Sequence, residues 1–117
     1  MTKEQIISEN LMKIGIRCSL KGFLYLKTAI LMCLEDKELI YDTTKRLYPI
    51  LAAKFNASYG TTERNIRHAI EIAWDRTDNK TLKSILGPCV RSVKMTNSEF
   101  IATFVERYEL QLLDKAS

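Results

Sequence analysis

The stretch LYPILAAKFNASYGTTERNIRHAIEIAWDR, residues 47–76, decides the fold. Leu47, Leu51, Ala52 and Phe55 recur at helical spacing, and Asn56-Ala57-Ser58 reads as a turn. A second helix is expected from around Gly60–Thr62 to about Arg76. At about 100° per residue, Ile66, Ala69, Ile70 and Ala73 gather on one side of it, and Arg64, Arg67, His68 and Glu71 gather on the other. The small Ala69 and Ala73 allow a close approach to a partner. Two helices joined by a short turn, the second amphipathic and rich in Arg, outline a helix-turn-helix over about residues 44–76. In that arrangement the polar face enters the major groove of duplex DNA. Arg fits guanine O6/N7 bidentately, Glu accepts from cytosine N4, and His donates to a phosphate or a base edge. The plainer alternative is a solvated face on which Glu71 and Arg67 form an i,i+4 pair.

Outward from this core the pattern stays helical. Thr2 and Gln5 can form a capping box ahead of Ile6, Ile7, Leu11 and Ile14. Ser19 is expected to cap a second, central helix carrying Phe23, Leu24, Leu26, Ile30, Leu31 and Leu34. Asp42 or Thr43 should open the third, with Pro49 inside it, bending or tightening the chain there. A short helix is expected over about Lys80–Leu86, stopped by Gly87-Pro88. Thr96 or Asn97 caps the last helix, which carries Phe100, Ile101, Phe104, Val105 and Tyr108. No strand-period alternation competes. The fold class is all-α: one domain, residues 1–117, of about six helices containing a helix-turn-helix.

Length and composition agree. The chain has 117 residues, 46% hydrophobic and 27% charged, enough for one packed core and too few for two. Four Gly and two Pro exclude low-complexity classes, and no apolar run nears the ~18–20 residues of a membrane span. The expected location is the cytoplasm. Cys18, Cys33 and Cys89 with the single His68 cannot supply the four ligands of a structural zinc site, so free, mostly buried thiols are expected. The motifs of serine hydrolases, zinc proteases and P-loop proteins are all lacking. The chain reads as a non-enzyme that needs neither metal nor cofactor.

Charge is uneven. Residues 43–95 carry ten Lys/Arg against four Asp/Glu, whereas residues 1–42 balance at six each and residues 96–117 carry two against four. A basic segment of this kind is the electrostatic footprint of a protein that meets a polyanion.

Four segments carry a closer likeness: KGFLYLKTAI (21–30), LYPILAAKFN (47–56), ERNIRHAIEIAW (63–74) and TNSEFIA (96–102). In this order and at this spacing the chain resembles the C-terminal DNA-binding effector domain of the stage-zero sporulation protein A family, from about Ile14 onward. The resemblance implies a six-helix response-regulator effector that binds promoter operator boxes and controls transcription in sporulation. It also implies contact with the RNA polymerase sigma subunit near the fifth helix, and pairing on DNA through the last helix. Glu63, Arg64, Arg67 and His68 match the family's reader helix and are the candidate base contacts. Lys94 matches a lysine ahead of the last helix and, with Lys45, Lys54 and Thr61, is a candidate backbone contact.

Three departures stand out. The family's receiver domain is missing ahead of the effector part, so a separately encoded domain or a fragment is expected. Thr61 stands where the family places an Arg, and Thr62 where it places a Val, which removes one base-reading guanidinium. The segment PCVRSVKM after Gly87 is about two residues short. The competing class is an interaction module that dimerises with a full-length relative through residues of the last helix expected to be exposed, Phe104, Glu106, Tyr108, Leu110, Leu112 and Leu113. An RNA-binding reading lacks an aromatic stacking platform on a sheet.

Overall fold

In the computed structural model, which describes residues 1–116 and side chains as far as Leu112, six α-helices enclose one core. Helix α1 (Lys3–Lys13) starts at the Thr2/Gln5 capping box and ends with Gly15 at φ +89. There Ile16 N–H donates to Leu11 O at 3.1 Å and Gly15 N–H to Met12 O at 3.0 Å, the Schellman closure that a residue with positive φ permits.

Helix α2 (Lys21–Glu35) is the central element, packed against α1 and the helices that follow. Its N-cap is Leu20 rather than the expected Ser19, with no side-chain cap: the chain enters through Phe23 N–H donating to Leu20 O, which leaves Ser19 one residue too early. Leu24 is an exposed member of this mostly buried helix.

The third segment departs from the single helix expected. A 3-10 turn (Lys37–Asp42) leads into a π turn (Thr43–Leu47), and only then comes α3 (Tyr48–Lys54). Pro49 explains the break. It lacks an N–H and its ring crowds the preceding turn, and the chain answers by widening, with Tyr48 N–H reaching Thr43 O. The proline thus loosens the helix instead of tightening it, and itself sits in the first turn of α3, where a missing donor is harmless.

A tight turn follows. Ala57 N–H donates to Ala52 O at 2.8 Å and Asn56 N–H to Ala53 O at 3.3 Å, with Asn56 in the left-handed region at φ +52. Helix α4 (Tyr59–Arg76) then starts slightly earlier than expected because Ser58 is its cap. Helix α5 (Asn79–Leu86) is capped by Asp78 and stopped by Gly87 at φ +91. Arg107 lies over Gly87, its Cδ 3.1 Å from where a Cβ would stand. Helix α6 (Asn97–Ala116) opens with a reciprocal Thr96/Glu99 capping box.

The core is built from Ile7, Leu11, Leu26, Ile30, Leu51, Ile66, Ile70, Phe100 and Phe104, all at most 2% exposed. The radius of gyration of 13.4 Å is that of one compact domain of this length. No strand is present among the described residues.

Two further expectations need correction. Phe104 and Tyr108 are buried, because they continue the Phe100 face of α6 inward at i+4 and i+8. Glu106, Leu110 and Leu112 are exposed, and the side chain of Leu113 lies outside the described residues. Of the cysteines only Cys33 is buried. Cys18 and Cys89 are exposed, because both sit in connections outside the packed helices. Burial, reinforced by Asp36, pushes the Cys33 thiol up to about 11, so it stays protonated and inert.

Candidate nucleic-acid interface

Helix α4 is pinned at its N-terminal end. Ser58 Oγ accepts from Thr61 N–H at 3.0 Å, and Thr62 Oγ1 donates to Ser58 O at 2.9 Å. Thr62 is fully buried and spends its hydroxyl on its own helix. Ile66, Ala69, Ile70 and Ala73 are all buried, as their spacing requires.

The approach of α2 to this face is closer than Ala69 alone allows. A Cβ on Gly22 would stand 2.2 Å from Asn65 O and 2.7 Å from Ala69 Cβ, so glycine is what lets the two helices meet backbone to backbone.

Arg64, Arg67 and His68 are exposed on the opposite face, with Glu63 and Glu71 partly covered between them. Arg67 Nη1 donates to Glu63 Oε1 at 3.0 Å, and its Nε lies 3.8 Å from Glu71 Oε1. Arg64 Nη2 reaches Thr61 Oγ1 at 3.5 Å, a limiting distance that leaves the guanidinium free to move.

The loop between α5 and α6 is tied to the far half of the same helix, because Trp74 Nε1–H donates to Arg91 O at 2.8 Å. This holds Lys94 near the first turns of α4. There Lys94, Arg67, Glu63, Thr44, Tyr59 and Asn97 border a notch of about 350 Å3. The structure thus brings Glu63, Arg67 and Lys94 together. Lys45, in the π turn, and Lys54, in the last turn of α3, are exposed but lie outside the notch. Among the described residues no ion pair within 4.0 Å engages Lys45, Lys54, Arg64, His68 or Lys94, whereas Arg46 is held by Asp36 at 3.3 Å.

Sequence reasoning did not find the group beneath the notch. Asn97 Nδ2 donates to Tyr48 Oη at 2.9 Å and to Glu63 O at 3.2 Å, joining α3, α4 and α6. Burial pushes the Tyr48 phenol up, so it keeps its proton while accepting from Asn97, and Tyr59 packs edge-on against it at 5.4 Å. The only sequence signal was the position of Asn97 beside the cap of the last helix.

The sequence that builds this helix pair matches a known family. The family described as "sporulation initiation factor Spo0A C terminal" covers residues 7–108 of the 117. The chain belongs to this family. The Spo0A C-terminal family is the DNA-binding effector domain of that regulator, a DNA-binding family and not an enzyme family. Its match runs from Ile7 in α1 to Tyr108 in α6, so it takes in both helices of the α3–α4 unit and the Lys94 loop. No helix among the described residues is long and apolar enough to cross a membrane.

Proposed function

We propose that this domain is a sequence-specific regulator of transcription that inserts α4 into the major groove of promoter operator boxes. The observation that carries the reading is the division of α4: its apolar face is spent entirely on the core, while Arg64, Arg67 and His68 on the other face are exposed. With Glu63 they are the base-edge contacts. Lys45, Lys54 and Lys94, with Thr61 at the mouth of the helix, meet phosphates and set register without reading sequence. Two copies pair on tandem boxes through α6, because one small module offers only about 600–1,000 Å2 of contact. The exposed side of α5, near Lys80 and Lys83, faces the polymerase sigma subunit.

A selection of bound sequences from random duplex DNA tests this. An enriched box, bound more tightly in tandem than singly, is the expected result. Equal recovery of all sequences would remove the specific reading, and equal affinity for one and two boxes would remove the pairing. The exposed Leu110 and Leu112 support a second reading, an interaction module that pairs with a full-length relative. That reading requires a complex without DNA.

A further inference from the structure

Acidic side chains are repelled by phosphates, yet two of the four in residues 43–95 flank Arg67 on the exposed face of α4. Glu63 lies one turn before it and Glu71 one turn after. Arg67, Glu63 and Glu71 are 46%, 29% and 43% exposed, so the carboxylates have not been forced together by burial. One holds Nη1 at 3.0 Å and the other faces Nε at 3.8 Å, which leaves Nη2 without a hydrogen bond among the described residues. A guanidinium is a rigid planar fork. Hydrogen-bonded to Glu63 and faced by the charge of Glu71, it gives up both attractions when it swings to the nearest phosphate.

We propose that Glu71 is a specificity-determining positioning residue: it acts through Arg67, keeping the guanidinium for a base edge and making phosphate a poor substitute. The inference rests on the reading of α4 as the recognition helix. On a random duplex Arg67 gains a phosphate only by leaving its carboxylates, and these in turn repel the phosphate. On the right box, guanine O6/N7 meets the uncommitted part of the fork while the carboxylates stay in place. Glu71 therefore costs affinity on all DNA but costs more on the wrong sequence, and a difference of affinities is what specificity consists of.

Glu71→Gln keeps size and helix preference and removes the charge. Affinities of the parent, E71Q, R67A, R64A and the E71Q/R67A double variant are measured on the selected duplex and on a random duplex of equal length, at one salt concentration. E71Q should tighten random binding about threefold and specific binding by less than about 1.5-fold, lowering the ratio of the two by about twofold. In the R67A background the same change should leave the ratio where R67A put it. Equal tightening on both duplexes would reduce Glu71 to a general repulsive charge and overturn the proposal. So would a fall in ratio that persists without Arg67, because Glu71 would then act on DNA directly. If R67A and R64A both keep the parent's ratio, the recognition-helix reading fails and takes this proposal with it. If R67A collapses the ratio while E71Q does not, only the proposal fails.

Discussion

Replacing Gly22 by Ala adds one methyl group at the crossing of α2 and α4. In an exposed helix that change would stabilise the fold by about 1 kcal/mol, because Ala is the better helix former. Here the new Cβ meets Asn65 O at 2.2 Å, Ala69 Cβ at 2.7 Å and Asn65 C at 3.1 Å. Ordinary contacts between carbon atoms lie at about 3.5–4.0 Å, so α4 must retreat by roughly 1 Å. The nearest obstacle is backbone and has no rotamer to escape into. Overpacking of this kind costs about 1–3 kcal/mol, occasionally more, and the rigid obstacle puts Gly22→Ala toward the top of that range. A net loss of about 1–3 kcal/mol follows, read as a lower urea midpoint at unchanged slope. Gly60→Ala is the internal control, because nothing lies within 4 Å of its added Cβ. It should be neutral or stabilise by up to about 1 kcal/mol. If Gly22→Ala were as stable as the parent, or gained like Gly60→Ala, the close crossing that seats α4 would be wrong.

Three other outcomes are expected. Lys94→Ala should weaken binding about equally on every sequence and flatten the log–log salt dependence by roughly one unit, as should Lys45→Ala and Lys54→Ala; a changed sequence preference at constant slope would show these roles misassigned. The backbone N–H of Thr96 at 3.1 Å holds the Glu99 carboxyl below its usual range, and that of Thr81 does the same for Asp78. Both groups are depressed in the folded state, so their stabilisation is complete above the unfolded carboxylate pKa, about 4, and is lost as pH falls through the lower folded values. Glu99→Gln should narrow the gap in stability between about pH 7 and pH 3, and an unchanged gap would disprove the capping role. Thr61→Arg should gain affinity for the family's own box with little loss of stability, because the backbone N–H of residue 61 still caps to Ser58 Oγ although the exposed bond from Ser58 Oγ–H to Thr61 Oγ1 is lost; an unchanged preference would show that this position does not face bases.

What the sequence made legible was periodic or local. Ile66, Ala69, Ile70 and Ala73 lie at helical spacing, and all four are buried. The Thr2/Gln5 box and the Gly87 stop were equally readable, because each depends on residues within a turn of one another. The misreadings have physical causes of the same scale. Ser19 is a good capping residue one position away from where the chain turns. Phe104 and Tyr108 were assigned to a free surface although they share the Phe100 face. Pro49 plainly signalled a break, but whether a helix narrows or widens at a proline depends on what packs around it.

The candidate interface was legible only along α4 itself. Arg64, Arg67, His68 and Glu71 follow from one helical wheel, whereas Glu63 entered only through the family resemblance. The meeting of Lys94 with Arg67 depends instead on Trp74 holding the carbonyl of Arg91, 17 residues away. Asn97 reaches Tyr48 across 49 residues and Glu63 across 34, and Gly22 matters through a backbone atom of Asn65. Contacts at such separations leave no spacing to read.

The central claim is that the outer face of α4 reads base sequence, and Arg64 tests it most directly. Its side chain is exposed and held only by a 3.5 Å contact to Thr61, so truncation removes no core packing. With thermal melting shown unchanged, Arg64→Ala and the parent are titrated by fluorescence anisotropy against the selected box and a random duplex. The account predicts a loss of about 1–3 kcal/mol on the box and far less on random DNA. Parallel losses on the two duplexes, leaving the parent's ratio intact, would contradict it.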